Sequence, residues 1–174
     1  IGIEIKIVDE NGNSLNANEE GEVYIKGENV GKGYWNKTEK FLNDFTNDKW
    51  FASGDIGFIN EAGYLFLIDR KNDKIVSKGI NIYPAEIEKI LEEHPQIKEV
   101  AVIAVPDEKA GEAICAAVVL KDGELELKEL QTWCKGRMAE YKIPKQLNIK
   151  NELPRNLTGK IVRRLIRQPY WEKE

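Results

Sequence analysis

The stretch Leu153-Pro154-Arg155-Asn156-Leu157-Thr158-Gly159-Lys160 gathers turn-forming residues and ends in a lysine. Such a loop exposes backbone N–H groups, and a lysine opening the next helix adds a cation, so together they could meet an anion. An N-cap at Thr158 followed by a solvated lysine accounts for the same residues. A second pair stands earlier. Asp55 follows Trp50-Phe51-Ala52-Ser53-Gly54, and Arg70 closes an apolar segment fifteen residues later, at the end of an adjacent element. A carboxylate acceptor beside a guanidinium donor suits a ribose diol, although a plain ion pair between strand ends is the commoner use of such residues.

Other reactive types are better read as structural. Asp9, Asn11, Asn13 and Glu20 occupy positions 1, 3, 5 and 12 of a calcium loop, but Ser14 stands where the loop needs glycine. A hairpin turn is expected there. Lysine follows glycine at Gly31-Lys32 and at Gly159-Lys160, yet neither pair completes GxxxxGK[ST], since Pro154 replaces the first glycine before Lys160. The single histidine, His94, precedes Pro95 at a helix end, where a cation would interact with the dipole. Cys115 lies in an apolar strand and Cys134 on an apolar helical stripe, so both read as small buried hydrophobes. There is no CxxC and no His-rich cluster, which sets aside the usual zinc patterns and leaves no expected metal ligands.

These residues sit in a chain of 174 positions, 41% hydrophobic and 32% charged, enough for a real core. The longest apolar run, residues 113–120, is too short to span a bilayer. Two cysteines make no disulfide framework. Net charge is −4, but residues 135–167 hold ten Lys or Arg against Glu140 and Glu152, a local +8 that leaves −12 elsewhere. A basic segment of this kind suits an anionic small ligand, nucleic acid or a solvated surface. Surface aromatics and an RNP-type motif are missing from it, so a nucleic-acid module is the weaker reading.

The first 70 residues read as strands. Ile1, Ile3, Ile5 and Ile7 alternate with polar or small residues, and the strand is already under way at the first position. With no initiator methionine or signal peptide, a piece of a longer protein is expected. Further strands follow at residues 22–26, 56–59 and 64–68, with a glycine-rich aromatic loop at Gly31-Lys32-Gly33-Tyr34-Trp35 and a short helix over residues 38–44. After a charged stretch at residues 70–73 the pattern changes. Residues 74–77 and 81–83 flank Gly79 like two hairpin arms, and Pro84 opens a helix whose Glu86 and Glu88 favour its dipole. Residues 100–105 and 113–120 read as central strands of a covered sheet. A helix is expected over 126–140, with Leu127, Leu130, Cys134, Met138 and Tyr141 on one stripe. An edge strand at 146–149 and a helix at 160–167 complete the pattern.

Taken in order, these segments resemble the adenylate-forming enzymes: acyl-CoA synthetases, 4-coumarate–CoA ligases, insect luciferases and peptide-synthetase adenylation domains. The residues that carry the resemblance are Gly21-Glu22-Val23-Tyr24-Ile25-Lys26-Gly27, Gly33-Tyr34-Trp35-Asn36, Ser53-Gly54-Asp55 and Asp69-Arg70. They continue with Ser77-Lys78-Gly79-Ile80-Asn81-Ile82-Tyr83-Pro84-Ala85-Glu86-Ile87-Glu88 and Pro154-Arg155-Asn156-Leu157-Thr158-Gly159-Lys160-Ile161. The resemblance implies an α+β chain: the β-rich end of a large N-terminal lobe over residues 1–71, then a small mobile lobe over 72–174 with a central sheet flanked by helices.

It also implies roles. Asp55 matches the aspartate that holds the ribose hydroxyls of ATP, and Arg70 the arginine beside it. Lys160 matches the lysine that bridges carboxylate and phosphate during adenylation. Lys78 and Gly79 match the loop that serves thioester formation and lines the path of CoA. Asn72 falls at the hinge, where Asp or Lys is usual, and Ser53 stands where Thr is commoner. The family's phosphate loop, which works with ATP and Mg, and its acid pocket would lie upstream of Ile1, so the chain alone is expected to be inactive. The implied reaction is that of a cytoplasmic acid–thiol ligase acting on a carboxylic acid, in the manner of fatty-acyl-CoA ligases. With no carrier domain after Arg167, free CoA is the favoured acceptor. An amino-acid ligase loading a separate carrier protein is the alternative.

Overall fold

A computed structural model of the chain describes residues 2–31 and 44–172. The aromatic loop expected at residues 31–35 and the short helix at 38–44 fall outside the described residues, apart from Gly31 and Asp44. The chain divides into two compact units, Ile1–Asn72 and Asp73–Glu174. The division falls within a 3₁₀ turn, Lys71–Asp73.

The first unit is a four-stranded antiparallel sheet in the order β1 (Ile3–Val8), β2 (Gly21–Gly27), β3 (Phe51–Ile59), β4 (Leu65–Arg70). The turn after β1 is fastened by Asp9, whose carboxylate accepts from the backbone N–H groups of Asn11 and Asn13 and from the Asn13 amide. Its oxygens serve a hairpin turn, as the residue pattern leads one to expect. β3 begins at Phe51, so Ser53-Gly54-Asp55, read from sequence as a lead-in, lies within the strand itself.

The second unit is built on a five-stranded sheet. β5 (Ile75–Ser77) and β6 (Ile80–Ile82) form the small hairpin, β7 (Ile97–Asp107) and β8 (Gly111–Leu120) the long one, and β9 (Gln146–Ile149) adds parallel to β8. Alternate residues of β7 and β8 face opposite cores. Val100, Val102, Ala104, Ile114, Ala116 and Val118 pack with Ile87 and Leu91 of α1 (Pro84–Leu91) and with Leu130 and Cys134 of α2 (Leu127–Cys134). Ala101, Ile103, Val105, Cys115 and Val119 instead meet Ile166 of α3 (Arg163–Trp171). Helices on both faces explain why these strands are near-continuous apolar runs. The α+β architecture with helices flanking a central sheet agrees with the sequence.

Three sequence expectations need correction. The helix expected over residues 126–140 ends at Cys134, because Gly136 adopts φ +76° and the chain turns into a 3₁₀ segment, Glu140–Lys142. Tyr141 is therefore exposed rather than on a buried stripe. The last helix starts at Arg163 rather than Lys160, with Val162 as its N-cap, so Thr158 caps nothing. His94 is buried against the Trp133 ring, its Nδ1 accepts from the Gln96 N–H, and burial lowers its pKa. A neutral imidazole filling the core replaces the expected cation on a helix dipole.

Candidate functional site

The first unit brings Asp55 and Arg70 together. They are cross-strand partners on β3 and β4, and Arg70 Nη1 lies 3.0 Å from Asp55 Oδ1. The Asp55 N–H donates to Ser53 Oγ at 3.1 Å, which fixes the strand just before the carboxylate. One residue further on, pairing shifts from Ile56↔Asp69 to Gly57↔Leu67, so Ile68 is the extra residue of a β-bulge. A bulge twists a strand end and re-aims its side chains. Both partners stay open to solvent, Arg70 at 59% and Asp55 at 28% side-chain exposure.

The second unit presents its candidate lysines on turns. Lys78 and Gly79 are the two loop residues of the β5–β6 hairpin, at φ +51° and +77°. Positive φ at both positions is the type I′ turn, which matches strand twist and makes glycine the natural second residue. The turn is tied down where the Lys78 N–H donates to the Ala110 carbonyl at 3.0 Å and the Val76 N–H to Glu112 Oε2 at 2.6 Å. The Lys78 side chain is exposed.

Lys160 closes a five-residue loop. An antiparallel bridge pairs Arg155 with Ile161, and between them Gly159 takes φ +83°. The N–H groups that sequence suggested would meet an anion are already used: Thr158 N–H and Lys160 N–H donate to Asn156 Oδ1, and Gly159 N–H to the Asn156 carbonyl. The loop therefore offers the Lys160 ammonium rather than a nest of amides. That side chain is exposed and makes no ion pair among the described residues.

Sequence reasoning missed the ionic cluster behind this loop. Arg163 at the start of α3 grips Glu88 with two donors, Nε to Oε1 at 3.0 Å and Nη2 to Oε2 at 2.6 Å. Its Nη1 reaches Asp73 Oδ2 at 3.2 Å, and Glu88 Oε1 also accepts the Val102 N–H of β7 at 2.7 Å. Glu88 is buried, so its expected role on the helix dipole gives way to a bidentate ion pair. The signal was available: Pro84, Ile87, Glu88 and Leu91 share one helix face at i, i+3, i+4 and i+7, and a carboxylate there requires a partner.

The basic stretch is correspondingly less of an anion-facing surface than its charge suggests. Lys142 pairs with Glu86, Arg155 with Glu99 at 2.7 Å, and Arg163 with Glu88 and Asp73. Arg137 lies 4.0 Å over the Trp133 ring. Cys115 and Cys134 are free and buried, and burial raises the Cys134 pKa to about 11, so neither is primed as a nucleophile. Among the described residues no group of three or more His, Cys, Asp or Glu could hold a metal ion, and no helix is long and apolar enough to cross a membrane.

The family model of the AMP-binding enzyme C-terminal domain matches residues 86–160. The chain is 45% identical over 151 residues to the long-chain-fatty-acid–CoA ligase FadD13 of Mycobacterium tuberculosis, covering 87% of this chain and 30% of that protein. ATP-bound MatB from Rhodopseudomonas palustris superimposes with a TM-score of 0.90 at 34% identity, over 99% of this chain and 35% of that one. The o-succinylbenzoate CoA synthetase MenE of Bacillus subtilis, in complex with its acyl-adenylate OSB-AMP, gives 0.87 at 38% identity over 95% and 34%. The chain thus spans about 30% of the length of the curated relatives it matches. Residues 86–160 match the AMP-binding enzyme C-terminal domain, and the chain as a whole is similar to a part of adenylate-forming acyl-CoA ligases and synthetases.

Proposed function

We propose that this chain supplies the C-terminal part of an AMP-forming acid–thiol ligase, which joins a carboxylic acid to AMP with loss of pyrophosphate and then to CoA with loss of AMP. The observation that carries the reading is the Lys160 loop: an exposed ammonium without an ion pair among the described residues, on a backbone whose N–H groups at 158–160 are already satisfied. Carboxylate and phosphate repel as they approach, and a cation held in place lowers the barrier where their charge gathers.

Asp55 and Arg70 fit the ribose end of ATP, because a part-exposed carboxylate offers an acceptor beside a guanidinium donor. Magnesium would arrive with ATP; the described residues give it no cluster of their own. The Lys78–Gly79 turn fits the CoA step, since a type I′ turn ending in glycine lets a ligand pass close to backbone. Asn72, the last residue of the first unit, fits the hinge. A fatty acid is the favoured acid, on the likeness to FadD13, with CoA as the acceptor and the cytoplasm, where both co-substrates are supplied, as the compartment.

The test uses the complete enzyme, wild type and Lys160→Ala, with a panel of carboxylic acids. Acid-dependent ATP–pyrophosphate exchange reads the first step; thioester formation from pre-made acyl-adenylate and CoA reads the second. Exchange should fall by about 10²–10³, the usual loss for one preorganised electrostatic contact, while thioester formation persists. Exchange that survives the substitution removes Lys160 from the adenylation step.

A further inference from the structure

The Lys160 loop has a single organiser, and it is not the lysine. Asn156 holds both backbone polar groups of Lys160: the Lys160 N–H donates to Asn156 Oδ1 at 2.9 Å, and the Asn156 N–H donates to the Lys160 carbonyl at 2.9 Å. The same Oδ1 accepts from the Thr158 N–H at 3.0 Å and from Thr158 Oγ1 at 2.8 Å. The Asn156 carbonyl accepts from the Gly159 N–H at 2.9 Å. Outside the loop, Arg155 donates through Nη1 to the Gly159 carbonyl and through Nη2 to Glu99 Oε2, each at 2.7 Å, which ties the loop to β7.

Apolar packing does not set this shape. Leu157, the one large hydrophobic residue between Asn156 and Lys160, is fully exposed at 108%. The loop therefore keeps its form through hydrogen bonds, three of which converge on the Asn156 amide oxygen, and it delivers an ammonium that makes no ion pair among the described residues. We infer that Asn156 is a positioning residue for Lys160: its Oδ1 fixes where the Lys160 backbone stands and so where the ammonium can reach. The inference rests on the reading of Lys160 as the adenylation lysine. Misplacing a catalytic group by ~1 Å costs on the order of 10² in rate, and that is the scale expected here.

The experiment compares four variants of the complete enzyme with wild type: Asn156→Ala, Asn156→Asp, Lys160→Ala, and the double variant Asn156→Ala/Lys160→Ala. Aspartate keeps an acceptor in place of Oδ1; alanine removes it. ATP–pyrophosphate exchange is measured with saturation in ATP, so that kcat and KM separate, and thioester formation from pre-made adenylate serves as the control for folding. Asn156→Ala should lower exchange kcat by roughly 10- to 100-fold with little change in KM, leave thioester formation intact, and add nothing on top of Lys160→Ala. Asn156→Asp should recover to within a few-fold of wild type. Undiminished exchange in Asn156→Ala, or losses that multiply in the double variant, would overturn the positioning role while leaving Lys160 in place. If Asn156→Ala loses thioester formation as well, Asn156→Asp decides: an aspartate variant as slow as alanine in exchange overturns the inference. Exchange that survives Lys160→Ala sinks the parent reading, and this one with it.

Discussion

The two units handle charge in opposite ways. In Ile1–Asn72 the candidate ligands face each other across two strands, Asp55 with Arg70, both open to solvent and paired by register beside a β-bulge. In Asp73–Glu174 the candidate lysines Lys78 and Lys160 are exposed on turns and make no ion pair among the described residues, while Arg163 pairs with the buried Glu88 and with Asp73. A pair on a sheet is positioned cheaply and costs little to break. A cation on a loop needs the loop itself to be built, and here Asn156 and the exposed Arg155 hold it by hydrogen bonds.

The sharpest way to break this comparison is to remove one carboxylate from each unit. Glu88→Ala takes the bidentate acceptor from Arg163, which keeps Asp73, and the buried acceptor from the Val102 N–H, and should destabilise the second unit by about 3–5 kcal/mol in denaturant unfolding. A loss under 1 kcal/mol would mean that the cluster behaves like a surface pair. Asp55→Ala should do the reverse. Its pair is solvent-exposed, so stability should change by only about 0–1 kcal/mol. Nucleotide affinity, read by ATP titration of the complete enzyme, should fall by roughly 10- to 100-fold, the scale of about 1.5–3 kcal/mol for a hydrogen bond to a charged group. Equal losses in stability for the two variants would erase the distinction.

The smallest effect sharpens the picture of the second unit's interior. Burial holds the His94 pKa below its ordinary value of 6.5, opposed by Glu129 and reinforced by Lys121. The unfolded chain therefore binds a proton first as pH falls. Stability should be unaffected by His94 above pH 6.5 and should decline below it, through the lowered folded value. Melting temperatures at pH 7.5 and 5.5 should differ less in His94→Gln than in wild type. An identical pH response in both would remove His94 as the source.

Much of this was legible in the sequence because it depends on periodicity. The continuous apolar runs in β7 and β8 could only be strands covered on both faces, and the structure covers them with α1 and α2 on one side and α3 on the other. Arg70 could be placed at a strand end, and Lys78 and Gly79 at a hairpin tip, from turn chemistry alone, whereas Asp55, expected at the end of an element, lies within β3. Illegible were interactions that join distant segments. Arg163 and Glu88 lie 75 positions apart, and no local pattern links a residue after a glycine–lysine pair to one on a distant helix. His94 was misread for the same reason: Trp133, which buries it, comes from another helix. The Pro154–Lys160 loop was half legible. Its residue types announce a turn, but only the fold shows that Asn156 consumes the amides that would otherwise have met the anion.

The central claim is that the two turns of the second unit serve different half-reactions. It is tested most directly by measuring both steps side by side in the complete enzyme for Lys160→Ala and Gly79→Leu. Leucine has room at Gly79, where nothing lies within 4 Å of an added Cβ, but it must adopt φ +77° and it puts bulk on the turn proposed to line the path of CoA. The account predicts a crossed result. Lys160→Ala loses pyrophosphate exchange by about 10²–10³ and still converts pre-made adenylate to thioester, whereas Gly79→Leu keeps exchange and loses thioester formation. Two variants that lose the same half-reaction, or both in proportion, would contradict it.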